Sequence, residues 1–241
     1  MEPYFVWKGI NSRVMGIWVL SQPPITRPPQ RYQQVTIPGR PGALTLLEGD
    51  DVYDPYIREC RIMPKPGANL PAILAWLTGS GSVVFSEQPT RAQHASIFDE
   101  VAMQREFADQ RSATLRFLCD PFKYDPFDEQ LHTMTVADGT YTLPGRGDVK
   151  AYPMIVLTAT GAATVTVNGT PLSVEDLSGQ TAFIDCSART TYRKVTEDDV
   201  TTNVPVVTHG DYPVLKPHGD NVITWDEAVS ALVIHPEWRW F

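Results

Sequence analysis

"ATVTVNGTPLSV", residues 163–174, is the stretch on which the fold of this chain turns. Val165 and Val167 alternate with threonine, Asn168-Gly169 interrupts, and Leu172 and Val174 resume the alternation. A two-residue hairpin needs positive φ at both central positions, which glycine adopts freely and asparagine tolerates. The strands it joins have one apolar face, and only a second layer can cover that face. Around this hairpin lie further short strands separated by turn residues. "HTMTVADGTYTL" (132–143) predicts a hairpin at Asp138-Gly139; "TAFIDC" (181–186), "TTYRKV" (190–195), "NVITW" (221–225) and "ALVIHPEWRWF" (231–241) predict single strands. The expectation for residues 129–241 is an all-β sandwich.

Residues 1–128 read as a second, mainly β domain with one helix. Tyr4–Trp7 and Val14–Leu20 predict strands, as do Tyr56–Met63, "SVVFSEQP" (82–89), Ala95–Val101 and Ala113–Cys119. "SQPPITRPPQRY" (21–32) holds four prolines, which cannot donate to a sheet, and predicts an extended excursion. "QQVTIPGRPGALTLL" (33–47) then sets Pro38-Gly39 and Pro41-Gly42 on either side of Arg40. No phosphate-loop spacing and no helix pattern accompany it, so it predicts a hairpin between Gln34–Ile37 and Ala43–Leu47. The helix is expected at about 70–78: Asn69 suits an N-cap, Pro71 the first turn, Leu70, Ile73, Leu74 and Leu77 a stripe, and Gly79 and Gly81 its end. The connector Pro121–Phe127 places the domain boundary near 128.

Composition limits the chemistry. The 241 residues are 42% hydrophobic and 20% charged, with 21 prolines and 16 glycines, as in a globular chain of short strands. The net charge of −8 is spread along the chain, and no stretch rich in Lys and Arg favours a phosphate backbone. Cys60, Cys119 and Cys186 are odd in number and far apart, which predicts free thiols and folding in a reducing compartment. No signal-peptide pattern and no apolar run near the ~20 residues of a membrane span is present, so synthesis in the cytoplasm without membrane insertion is expected.

Catalytic, metal and cofactor motifs are missing. The five histidines form no HExxH or Cys/His cluster, and no GxSxG occurs. His209-Gly210-Asp211 and His218-Gly219-Asp220 read as polar turns, as does Arg146-Gly147-Asp148. Asp99-Glu100 and Asp198-Asp199 are neighbours whose side chains diverge on a strand, unlike a glycosidase pair. The chain is therefore read as a non-enzyme. Among its six tryptophans, Trp76 belongs to the helix, while Trp238 and Trp240 alternate on a terminal strand. They are the carbohydrate-stacking candidates, with core packing as the other reading.

Several stretches in order resemble a family. "FVWKG" (5–9), "IPGRPGAL" (37–44), "WLTGSG" (76–81) followed by "VVFSE", and "FLCDPFKY" (117–124) are similar to the distal tail proteins (Dit) of long-tailed, non-contractile bacteriophages. Trp7, Gly9, Trp76, Leu77, Cys119 and Pro121 carry that resemblance as structural positions. "YPMIVLTATGAATVTVNG", "FIDCSARTTY", "GDYPVLKPHGDNVITW" and "LVIHPEWRW" look like the family's second domain. The resemblance implies a ring-forming, β-sandwich-like N-terminal domain with one helix and a galectin-like C-terminal β-sandwich. It implies a homo-hexamer, single or stacked, at the virion tail tip, whose partners are the major tail protein, a tail-tip or fibre protein and the tape measure protein, with DNA passing through the lumen. Pro38, Gly39, Arg40, Pro41 and Gly42 become a candidate subunit-contact loop. The alternative is a carbohydrate-binding module acting on the host surface through the C-terminal sandwich.

Overall fold

The computed structural model describes residues 2–49, 51–107, 110–126, 132–134, 138–175, 177–197 and 200–241. The chain divides into two compact units, Met1–Phe127 with Phe241, and Asp128–Trp240. Both are mainly β.

In the first unit the strands are β1 (Phe5–Trp7), β2 (Ile10–Asn11), β3 (Ile17–Ser21), β4 (Tyr32–Thr36), β5 (Ala43–Leu47), β6 (Tyr56–Pro64), β7 (Gly79–Phe85), β8 (Ala92–Ile97), β9 (Gln104–Phe107) and β10 (Gln110–Tyr124), with α1 at Leu70–Trp76. Eight strands form one antiparallel sheet in the order β2-β1-β7-β8-β10-β6-β3, with β9 paired to β10. Strand β10 shows why: Ala113, Leu115, Phe117 and Cys119 are buried while Thr114, Arg116 and Leu118 between them are exposed. That period of two gives the sheet one apolar face. On it, Phe117 meets Phe5, Trp7 and Phe85 edge-on, each at 5.6 Å between centroids. Pro121–Tyr124, expected to open the connector, instead continue β10. The polar run from Gln104, too hydrophilic to read as a strand, is β9.

The turn between β1 and β2 is Lys8-Gly9, with φ of 50° and 76°. Trp7 pairs with Ile10 across it, as a two-residue hairpin demands. The segment before β4 has no regular structure until a bridge joins Gln30 to Tyr53. In α1, Asn69 Oδ1 accepts from Ala72 N at 3.2 Å and Pro71 fills the first turn. The helix is narrower than its stripe predicts: Ile73 and Leu77 are buried, but Leu74 faces out. Gly81 does not end the helix. It lies in β7, where a Cβ would stand 2.6 Å from the stem of Lys8.

The second unit contains β11 (His132–Thr133), β12 (Thr140–Pro144), β13 (Met154–Ala159), β14 (Ala163–Val167), β15 (Thr170–Val174), β16 (Thr181–Asp185), β17 (Thr190–Glu197), β18 (Val200–Pro205), β19 (Thr208–Gly210), β20 (Asp220–Trp225) and β21 (Val229–His235). They form two antiparallel sheets, β11-β21-β13-β16-β17-β18 and β12-β20-β14-β15-β19. Ile155, Leu157, Ile184, Leu232 and Ile234 from the first sheet share one core with Leu143, Val165, Val167, Leu172 and Ile223 from the second. The stretch 163–174 is hairpin β14–β15, with Asn168 at φ 53° and Gly169 at φ 84°.

Asp138-Gly139 is not a hairpin. Strand β11 pairs with β21 in one sheet and β12 with β20 in the other, so the chain changes sheets here. Residues 135–137 of that expectation lie outside the described residues. Asn221, wholly buried, ties the second sheet together. Its Oδ1 accepts from Asn168 Nδ2 (2.8 Å) and Lys216 N (2.7 Å), and its Nδ2 donates to the carbonyls of Leu143 and Lys216. A buried amide with this many partners is fully satisfied.

Candidate functional site

Hairpin β4–β5 has no place in either core. It forms a two-stranded sheet of its own, and all ten strand residues are exposed. The register sets Tyr32 against Leu47, Gln34 against Thr45 and Thr36 against Ala43 on one face. Gln33 against Leu46 and Val35 against Leu44 make the other. The second face is apolar away from its base: Val35, Leu44 and Leu46 are 43%, 45% and 46% exposed. Ile37, just past β4, is exposed as well. An isolated two-stranded ribbon is marginal in water, and its unpaired edges and apolar patch are available to another chain.

The base of this arm is held. Arg31 Nε lies 2.7 Å from Asp54 Oδ1 and 3.9 Å from Glu48, and Gln33 Nε2 donates to Glu48 at 2.8 Å. The hydrogen bond to Asp54 and its charge push the Arg31 guanidinium above its ordinary pKa, so it stays charged. Arg31 N also donates to Val52 O, and Asp54 N to Pro29 O. The aromatic ring of Tyr53, beside this base, meets Phe122 edge-on at 5.5 Å.

Pro38, Gly39, Arg40, Pro41 and Gly42 form the tip, all exposed. Gly39 and Gly42 take φ of 78° and 83°, and Arg40 N donates to Ile37 O at 3.1 Å, closing the turn. Arg40 carries the only charge there. The contact loop of the sequence reading is thus the end of a longer apolar arm. The missed residues are Val35, Leu44 and Leu46, whose apolar character reads equally well as core.

The other structural positions gather elsewhere in the first unit. Trp7 and Trp76 exchange hydrogen bonds, Trp7 Nε1 donating to Trp76 O at 3.1 Å and Trp76 Nε1 to Trp7 O at 3.3 Å. Trp76 also stacks on Phe5 at 5.7 Å. Leu77 and Cys119 belong to the same core, Gly9 shapes the β1–β2 turn, and Pro121 lies in β10. These residues build a wall and reach no common site.

The carbohydrate candidates do not form a platform. Trp238 is buried at 6% exposure and Trp240 is half-buried, both packed on the sandwich core. The exposed-side aromatics of that unit, Phe183 and Tyr192, stack on each other at 5.5 Å, and Lys194 lies over Phe183 at 4.6 Å. The Phe183 ring is thus already engaged by two neighbours. Among the described residues, no group of three or more His, Cys, Asp or Glu is placed to hold a metal. His209 and Gly210 lie in β19, not in a turn, and His209 sits 3.5 Å from Glu175. Asp198-Asp199 lies outside the described residues. Cys60, Cys119 and Cys186 are free and buried, and burial pushes each thiol up to about 12. Such thiols are unreactive at neutral pH.

No protein-family profile matches the chain, and no curated protein matches it. Solved structures do. The crystal structure of SPP1 Dit, described as a paradigm of the hub adsorption apparatus in phages infecting Gram-positive bacteria, superposes with a TM-score of 0.72 at 14% identity, over 97% of this chain and 98% of that one. A chain of the phage P2 baseplate in its activated conformation with Ca gives 0.53 at 7% identity, over 97% of each. The chain has a Dit-like fold from end to end.

Proposed function

We propose that this chain is a structural hub of a phage tail, without enzymatic activity. Six copies close into a ring that joins the tail tube to the tip or baseplate and leaves a channel for DNA. The first unit builds the ring. The adjoining partners are the major tail protein on one side and a tail-tip or fibre protein on the other, with the tape measure protein inside. The observation that carries this reading is the fold shared with SPP1 Dit over almost the full length of both chains.

The arm supports it. A protein working as a monomer gains nothing from an apolar two-stranded ribbon held out by its base, whereas a closed assembly buries it. A head-to-tail contact that closes after a fixed rotation yields a ring. The net charge of −8 suits a channel that must release nucleic acid. Light scattering and negative-stain imaging of the purified chain, alone and with its tube and tip neighbours, test the reading. A six-membered annulus is expected, and a monomer that persists in the presence of those neighbours overturns it.

A further inference from the structure

We infer that the first unit binds a small free oxyanion at the end of its sheet, where the neighbouring strands β7, β8, β10 and β6 bring Phe85, Gln93, Lys123 and Arg58 together, with the Arg58 guanidinium as the main ligand. Such a site belongs to the single chain and does not depend on ring closure.

Arg58 lies on the core face of β6, 5% exposed and opposite Phe117 in register. Its guanidinium sits over the ring of Phe85, the last residue of β7, at 4.4 Å from the centroid. Nη1 donates to Gln93 Oε1 at 3.2 Å, while Nε, also buried, has no acceptor among the described residues. The acids of the adjoining strands are engaged elsewhere. Glu59 faces out and lies 3.4 Å from Arg116, and Asp125 lies 3.3 Å from Arg91. A cation taken out of water is costly to hold, and one ring contact with one neutral hydrogen bond offsets only part of that cost.

The surrounding groups add donors, not acceptors. Gln93, 1% exposed, spends its Nε2 on Tyr56 Oη (3.1 Å) and Asp120 O (2.5 Å), and its one side-chain acceptor already faces Arg58. Tyr56 Oη accepts from Gln93, which leaves its own proton to give. Lys123, 1% exposed, stands opposite Gln93 in the β8–β10 ladder and brings a second buried cation to the same end of the sheet. Burial raises the Cys119 thiol, and the charges of Arg58 and Lys123 both pull against it, so the two cations bear on one point of the core. A guanidinium edge and a hydroxyl proton beside a second cation are the donor set that an oxyanion takes. With so little of Arg58 at the surface, the opening suits a small free anion better than a side chain delivered by another protein.

The experiment is equilibrium dialysis of the full chain, purified in chloride, against radiolabelled inorganic phosphate at constant ionic strength. Saturable uptake of about one phosphate per chain is expected, displaced by unlabelled sulfate and not by chloride. Arg58→Met keeps the stem and removes the charge, and should weaken uptake about a hundredfold. Arg58→Lys keeps the charge without the fork and should weaken it about tenfold. Tyr56→Phe removes one hydroxyl proton from a half-buried ring, leaves charge and packing in place, and should cost about fivefold. Absence of saturable uptake by the wild-type chain overturns the site, as does uptake that chloride removes equally well. Affinity unchanged in Arg58→Met overturns it too, and if that variant does not fold, affinity unchanged in both Arg58→Lys and Tyr56→Phe does so instead.

Discussion

Hairpins β4–β5 and β14–β15 are built by the same local rules and end in opposite circumstances. Each joins two five-residue strands through positive-φ glycine. In β14–β15, Ala163, Val165, Val167, Leu172 and Val174 are buried, and flanking strands β20 and β19 take up both edges. In β4–β5 nothing is buried and neither edge is paired. Turn chemistry makes a hairpin; a third strand and a facing layer make it part of a core. A stretch of chain with the first and without the second stays exposed in the single chain.

The widest gap between the two hairpins is expected from matched leucine deletions. Leu172→Ala removes a fully buried side chain of β15 and should destabilise the sandwich by roughly 2–5 kcal/mol, read as a drop in its denaturant midpoint. Leu44→Ala on the arm should leave the monomer within about 0.5 kcal/mol and instead weaken assembly. Equal losses of monomer stability would mean the arm has a core partner after all.

Glycine substitutions sharpen the comparison at smaller amplitude. Gly169→Ala meets open space but forces alanine to φ 84°, at a cost of about 1–2 kcal/mol to the sandwich. Gly39→Ala imposes the same strain at φ 78°, in a turn uncoupled from either core. Its unfolding midpoint should match the wild type, while ring formation suffers. A shift as large as that of Gly169→Ala would show the arm folding cooperatively with the unit.

The smallest expected effect lies in the sandwich alone. Partial loss of water around its exposed side chain first, and the neighbouring Asp185 second, hold Glu237 above the ordinary carboxylate value of 4.5. The folded state therefore binds this proton more tightly than the unfolded chain. The ionised form costs stability above the raised value, and the cost disappears as pH falls through it and then below 4.5. Glu237→Gln should flatten that acid-side rise in the midpoint. An unchanged profile would remove Glu237 from the account.

Local features of this architecture were readable in the residues. Asn168-Gly169 marked its hairpin, Asn69 and Pro71 marked the helix start, and the double Pro-Gly marked the arm tip. Partnership was not readable. Asp138-Gly139 carries a turn signal like Asn168-Gly169, yet it passes the chain between sheets, because pairing depends on strands 76 to 102 residues away. Polar Gln104–Phe107 is a strand because β10 offers it an edge. Ala43–Leu47 has the composition of a core strand, and only the fold reveals that it is exposed along its whole length, with no layer against it among the described residues. Core packing is the favoured reading of Trp238 and Trp240 over a sugar platform, and the sandwich core does enclose Trp238 with Trp240 packed on it.

Strand β21 sits between β11 and β13, inside its sheet and not at the rim. Until His235 has left the ribosome, β11 has no neighbour and β13 lacks one side. The eight-stranded sheet, by contrast, is complete once Tyr124 is made. Synthesis should therefore deliver a complete eight-stranded sheet, arm included, while the second unit still lacks its closing strand. Polysomes carrying many such nascent chains would hold sticky arms before any sandwich exists, a reason for early capture by a chaperone or a sister copy.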